Sequence, residues 1–506
     1  MRLKRRTLAT RGVAGGVGTT PAASCAALLM ALGVVFGVPF GATASADEPV
    51  AAKEPRLMSE TSEITSVVDA FDGTNIDANF TIGFSQSFYH ANIRRETGLF
   101  QPGLSTGGFV ARTENVATYS QATSALDFGI DLGIFRDLAL VLRLPVILAD
   151  SRGLGDLDGS SRNPQRLQDP SGGQLFTVPH NAPNRSGVDW FSAGLDYAIF
   201  NQQRDQTKPT WVVGVEGRFA VGPALHACNA DAGPGQPKCP DPDQTRHAGV
   251  DRDPGISRAM VGIGAHTVFS RRYNYVEPYM GFWFLAEVPE GYGDFAATNN
   301  LKGSLVNHPP LLGTFGVGVE VVPYEAPEQF RRFVADFRVK GTYHSAGREY
   351  SELFDALGSS QAPSLRNPNP GGYTADPANP GKSIVDSRAQ QVFFSGITDQ
   401  QAFGSLGTTA SGTWQAGEHI KFQAGLGFTF NQSHLITAAD ACNPDFQSDP
   451  GAAGPCHGAV NGPAGSQTVT GIPNPNQHPV IDSPGRRFSV DDGTIVDLWL
   501  MGVVMF

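Results

Sequence analysis

The side chains in this chain best placed to do chemistry are ionised groups spaced two residues apart. Asp127 precedes Asp131 by four, Glu216 precedes Arg218 by two, and Asp336, Arg338 and Lys340 follow one another at the same step. Arg143, Asp196, Glu320 and Lys421 are single charges set among apolar residues in the same manner. On an extended strand, residues i, i+2 and i+4 share one face, so each set projects to one side. Opposed acidic and basic rows of this kind can line a water-filled path and choose what passes. They can equally pair into ion networks that fill a narrow interior, and both uses remain open at this point.

Other reactive groups lead less far. Cys228 and Cys239 share one polar segment and Cys442 and Cys456 another. Each pair is local, and in an oxidising compartment the expectation is two disulfides within loops. Zinc at the first pair, with His226 and His247 beside it, is the alternative, but the spacing matches no compact zinc motif. Asp156-Leu157-Asp158-Gly159, with Asp150 upstream, looks like a fragment of a calcium loop. It lacks the remaining acidic ligands and a bidentate Glu, and reads as a solvated acidic loop. His344 and Ser345 are adjacent and so point to opposite faces, and His266 has no nucleophile near it in sequence. No catalytic residue, metal ligand or cofactor is assigned.

The elements that must position the charged rows are strands. Asn79–Tyr89 alternates Phe80, Ile82 and Phe84 with Asn79, Thr81 and Gly83. Gln121–Ile134 sets Leu126, Phe128, Ile130 and Leu132 against the two aspartates, and Leu138–Leu148 sets five apolar residues against Arg143. Val188–Phe200, Thr210–Gly222, Ile256–Ser270, Tyr275–Ala286, Leu311–Val322 and Phe330–Tyr343 follow, then a weak Ala402–Gln415, Gly417–Asn431 and Thr494–Phe506. The period of two is clear in most of them. In Tyr275–Ala286 both faces are apolar, so its orientation is open. Pro145 is expected where a ladder ends or bulges. Ala149–Ser186 reads as a long polar segment, and Tyr350–Leu357 as a helix-like stretch inside another. Connections run long, short, long, short throughout, an alternation that soluble sandwiches do not keep.

Composition narrows the class. The formal charge is −11, and removing residues 1–46, with five basic residues and no acidic one, takes it to −16. No basic patch stands out, so nucleic acid and anionic membrane surfaces are poor partners. A hydrophobic content of 40% with 60 Gly and 36 Pro, at a mean hydropathy of −0.17, is wrong for a helical membrane protein. It suits strands that are half polar, joined by long loops.

The two ends agree with that reading. Arg2, Lys4, Arg5, Arg6 and Arg11 precede the apolar Ala26–Phe40, and Ala44-Ser45-Ala46 offers a cleavage site before Asp47. Cys25 precedes the apolar core and falls in the discarded segment. At the other end, Gly493–Phe506 places Val496, Leu498, Leu500, Gly502, Val504 and Phe506 on one face. It is too short for a spanning helix and carries Asp497. The signal segment, the alternating strands and the terminal aromatic together resemble bacterial outer-membrane β-barrel proteins over essentially the whole mature chain. The resemblance implies an all-β fold, a transmembrane antiparallel up-and-down β-barrel of about 12 strands with long extracellular loops and short periplasmic turns.

Three segments are then expected: a signal peptide (1–46), a periplasmic lead-in or lumen plug (47–77) and the barrel (78–506). Partners would be outer-membrane lipid, small solutes, and the assembly machinery, which reads Phe506 as its signal. Charges on the lipid face are costly, so the charged rows are placed inside as selectivity candidates. The expected function is a barrel that passes or binds small solutes. The alternative is a closed barrel that displays disulfide-stapled loops for adhesion. Outer-membrane hydrolases and aspartate–histidine proteases of this class carry His-centred constellations that this chain lacks at its strand ends.

Overall fold

A computed structural model describes residues 78–98, 111–135, 137–157, 164–202, 204–244, 246–295, 308–368, 373–375, 383–385, 392–440, 458–460, 467–469, 474 and 476–506. The proposed signal peptide and lead-in, Asp158, Cys442 and Cys456 lie outside the described residues.

Twelve antiparallel strands close into a barrel. They are β1 (Ala78–Gly98), β2 (Ala111–Phe135), β3 (Leu138–Gly155), β4 (Trp190–Phe200), β5 (Thr210–Ala220) and β6 (Met260–Ser270), then β7 (Val276–Pro289), β8 (Leu312–Ala326), β9 (Arg331–His344), β10 (Phe403–Gln415), β11 (Ile420–Asn431) and β12 (Phe488–Met505). Each pairs with its neighbours in sequence, and β12 closes on β1 with Val504 opposite Phe80 and Leu498 opposite Gln86. Closure leaves no strand edge unpaired, which a lipid core requires. Phe506 completes the seam: its N–H donates to the Ala78 carbonyl at 2.9 Å, and its carbonyl accepts from the Ala78 N–H at 3.1 Å. The short connections all lie at the end that carries Ala78 and Phe506, and the long ones at the opposite, extracellular end.

The outward face is the apolar one. Phe80, Ile82, Phe84, Leu195, Val215, Ile263, Phe282, Phe337, Leu426, Leu498 and Leu500 are all exposed on it. In water so much bare apolar surface would be a liability, whereas lipid covers it. The same parity settles β7. Phe282, Phe284 and Val288 are exposed, while Glu277 and Tyr279 are buried and Trp283 faces in with them.

Four strands outrun the expected lengths. β1, β2, β3 and β12 span 21, 25, 18 and 18 residues, where the apolar alternation had suggested eleven to fourteen. Above Phe88 the outward positions turn polar: His90 is exposed, Asn92 donates to Asp492 at 3.1 Å, and Arg94 pairs with Asp491 at 2.7 Å. Pairing continues there because backbone bonds need no lipid, but the period-two signal fades once both faces meet water. The supposed polar segment from Ala149 is therefore partly strand. Pro145 sits where the ladder to β4 breaks. The last pair below it is Arg143–Ser192, and the next contact is Val146 with Val188 of a short strand, Arg185–Val188. A residue without an N–H loses nothing at such a break.

Candidate functional site

The barrel interior holds the charged rows. Asp127, Asp131, Arg143, Asp196, Glu216, Arg218, Glu320, Asp336, Arg338, Lys340 and Lys421 all occupy the register positions opposite to the exposed apolar ones, and so face inward. Most of these side chains are engaged with neighbours. Arg143 Nη1 donates to Asp131 Oδ1 at 2.6 Å, and Ser85 Oγ donates to Asp127 Oδ2 at 2.8 Å. Arg218 donates to Glu216 from Nε at 2.8 Å, with its Nη2 at 2.7 Å from the same oxygen, and its guanidinium lies 4.9 Å above the Trp190 ring. On the facing wall, Tyr279 donates its hydroxyl to Asp336 at 2.5 Å and accepts from Arg338 Nε at 2.9 Å. Arg338 closes that triangle on Asp336 at 3.3 Å. Glu320 is buried in register between Glu277 and Asp336. Asp196 lies 3.5 Å from His266 Nε2.

Glycines on adjacent strands let the large inward side chains lie flat. A Cβ on Gly316 would come within 3.1 Å of the Trp283 ring, and one on Gly318 within 2.3 Å of Tyr279. Gly425 gives the same room to Trp499, and Gly214 to His266 and Asp196. A ring laid along the wall does not cross the lumen. Space at the level of the charges follows: the Arg143 side chain keeps 41% of its surface accessible, Arg218 31% and Arg338 28%, although all three face inward.

Sequence patterning missed several of these residues. Tyr279 and Trp283 were hidden by the two apolar faces of β7, and Trp499 and Asp497 sit in a strand read mainly for its lipid face. The available signal was the neighbour: Gly281, Gly316, Gly318 and Gly425 occupy inward positions on strands where nothing else calls for glycine. His344 and Ser345 do not meet. The His344 ring stacks on Phe403 at 4.2 Å, while Ser345 Oγ accepts from the Leu311 N–H at 2.8 Å.

No family model matches the chain, and no curated protein matches it. Solved structures align with most of its length at low scores. An outer membrane channel from Pseudomonas putida F1 is 9% identical at a TM-score of 0.30, over 87% of this chain and 100% of that one. A FadL homologue from Pseudomonas aeruginosa is 10% identical at 0.29, over 85% and 90%. The outer membrane protease OmpT from Escherichia coli is 7% identical at 0.27, over 87% and 100%. The protein is a closed transmembrane β-barrel of twelve antiparallel strands, by its own strand pairing and apolar outer belt. Likenesses this distant carry neither substrate nor reaction to it.

Above the lipid, the mouth of this barrel is occupied by folded loops. Leu167, Leu175, Phe176 and Val178 come from the connection after β3. Leu353, Leu357 and Leu365 come from the one after β9, and Ile436 and Ile481 from the one after β11. They pack on Ala91, Ile93, Ala117, Tyr119, Leu154, Phe488 and Val490, the inner face of the extended wall. Each fully buried Leu, Ile or Phe contributes roughly 1.5–3 kcal/mol to holding this cap together. A helical turn at Phe354–Gly358 carries Asp355, which binds Arg185 through both carboxylate oxygens at 2.6 and 3.2 Å and also accepts from the Cys228 N–H at 2.9 Å. Cys228 and Cys239 are joined by a disulfide, so their sulfurs bind each other. Arg95, on the wall, donates to the carbonyls of Arg166, Gln168, Val480 and Arg486, fastening two connections at once. Below them Tyr89 donates to Glu352 at 2.6 Å, so this connection reaches the top of the lumen. Burial within the cap pushes the Asp399 carboxyl up to about 6 and holds the His478 imidazole down to about 3.

Proposed function

We propose that this barrel passes small polar solutes across the outer membrane, with the inward charges as its selectivity elements. The exposure of Arg143 carries the proposal: an inward-facing guanidinium that keeps two-fifths of its surface accessible supports unfilled space in the lumen beside it. The charged residues Asp127, Asp131, Asp196, Glu216, Arg218, Asp336, Arg338, Lys340 and Lys421 would set the field a permeating solute meets. The reading assigns no reaction to the chain. It takes residues 1–46 as a signal peptide, residues 47–77 as a periplasmic lead-in or plug, and Phe506 as the residue that assembly machinery reads.

The folded cap favours a second reading. A mouth packed by three connections and tied by buried ion pairs suits a scaffold that displays its loops to a partner. Folded protein reconstituted into planar bilayers separates the two. Stable conductance steps support the channel, and silence from protein that still shifts on heating in a gel supports the scaffold.

A further inference from the structure

Two inward charges stand apart from the paired ones. Lys340 on β9 is beside Gly407 on β10, and Gly407 is paired with Thr429 on β11. The lysine lies along the wall: a Cβ on Gly407 would meet its Cε at 2.8 Å and Thr429 Oγ1 at 2.8 Å, so the chain runs over the glycine toward that hydroxyl. Asp497 on β12 approaches from the other side. It is paired with Gly427 on β11, whose own partner on β10 is Thr409. A Cβ on Gly427 would meet Asp497 Cβ at 3.4 Å, its Oδ2 at 3.5 Å and Thr409 Cγ2 at 3.4 Å.

The pairs Gly407–Thr429 and Thr409–Gly427 are successive inward rungs of one ladder. A cation and an anion therefore lean toward each other over the same two-strand floor of glycine and threonine. They are not joined. Neither Lys340 nor Asp497 makes an ion pair or hydrogen bond among the described residues, whereas Arg143, Arg218 and Arg338 are each held by a carboxylate. Both are half-buried and open to the lumen. Three strand spacings of about 4.8 Å put the flanking backbones about 14 Å apart.

We propose that this floor binds small zwitterions, molecules carrying a carboxylate and an ammonium group. Lys340 takes the carboxylate, Asp497 takes the ammonium, and the hydroxyl of Thr429 offers a hydrogen bond between them. A singly charged solute is drawn to one of the two and repelled by the other, and a polyol finds only the Thr429 hydroxyl. The site rests on the channel reading and names its preferred cargo.

Swelling of proteoliposomes holding the full chain tests this, with L-glutamine and ribitol as solutes of similar size. Glutamine should enter faster than ribitol through the unaltered barrel. In Lys340→Gln or Asp497→Asn the ratio of the two rates should fall about fivefold, the factor that a unit charge at about 4 Å in water is worth. The exchange Lys340→Asp with Asp497→Lys should restore the ratio, because a zwitterion can bind turned around. If both solutes enter and the single variants leave the ratio unaltered, the two residues do not select the solute and the site is refuted while the channel stands. If neither solute enters through folded protein, the channel reading falls and takes the site with it.

Discussion

Asp355→Asn is the sharpest perturbation of the cap. Arg185 has no exposed side-chain surface, and Asp355 is its carboxylate partner, bound through both oxygens at 2.6 and 3.2 Å. The amide keeps the shape, and its oxygen can still accept from the Cys228 N–H and from Arg185 Nη2, but its NH2 replaces the acceptor facing Arg185 Nη1, so the change removes the charge and one hydrogen bond. Arg185 would retain its bonds to the carbonyls of His226 and Pro254 but would be left as an uncompensated buried cation. Breaking such a pair from one side costs about 3–5 kcal/mol, or about two to three and a half powers of ten in the opening equilibrium. The loss should be confined to the cap, because all the groups involved lie above the lipid and the ladder below does not depend on them. Hydrogen exchange of detergent-folded protein reads it directly. Amides around Phe354–Gly358 and Arg185–Val188 should lose protection by that factor, while those of β9 to β11 keep theirs. Arg185→Met with Asp355→Leu should recover much of the loss, since an apolar pair leaves no charge buried. Unaltered protection in Asp355→Asn would refute the reasoning, and so would loss of the whole barrel.

Three further outcomes are expected. Phe506→Asp should leave synthesis and export intact but lower the outer-membrane level, because it removes the ring packed 5.9 Å from Phe80 at the closing seam and the aromatic proposed as the assembly signal; normal levels on membrane fractionation would count against that role. Phe337→Glu, on the lipid face, should hinder insertion, by less than the about 2–4 kcal/mol that Arg or Lys would cost at the midplane, whereas Lys340→Glu, inside, should insert normally, both read by heat-dependent gel mobility. Acidification should move the cap in two opposing ways. Asp399, raised to about 6 from an ordinary 3.8, stabilises the cap fully below 3.8 and loses that contribution as pH rises through 6. His478, lowered to about 3 from an ordinary 6.5, stabilises it fully above 6.5 and loses that contribution as pH falls toward 3. Asp399→Asn should therefore make cap protection fall more steeply between pH 7 and 4, and His478→Asn should make it fall less. Parallel slopes in the two variants would contradict the assignment.

The sequence by itself determined the strands, their approximate number and order, and which side of most of them meets lipid. A lipid-facing strand must be apolar at every second residue, and that constraint is local enough to read from Phe80-Ile82-Phe84 or Leu138–Val146 alone. For the same reason it placed Asp131, Arg143 and Arg338 inside without knowledge of any neighbour. Where the constraint relaxes, the reading stopped short: β1, β2, β3 and β12 continue above the lipid, with water outside and the cap inside, and no period marks them. Tertiary structure decided the rest, because register and partner identity are long-range. Only pairing across β2 and β3 brings Arg143 to Asp131, only β7 beside β8 and β9 joins Tyr279 to Asp336 and Arg338, and only the pairing of β9 with β10, β10 with β11 and β11 with β12 sets Asp497 across two strands from Lys340. The cap was least legible of all. Its apolar residues are scattered through Pro- and Gly-rich connections, and they form a core only once the extended wall supplies a surface to bury them against.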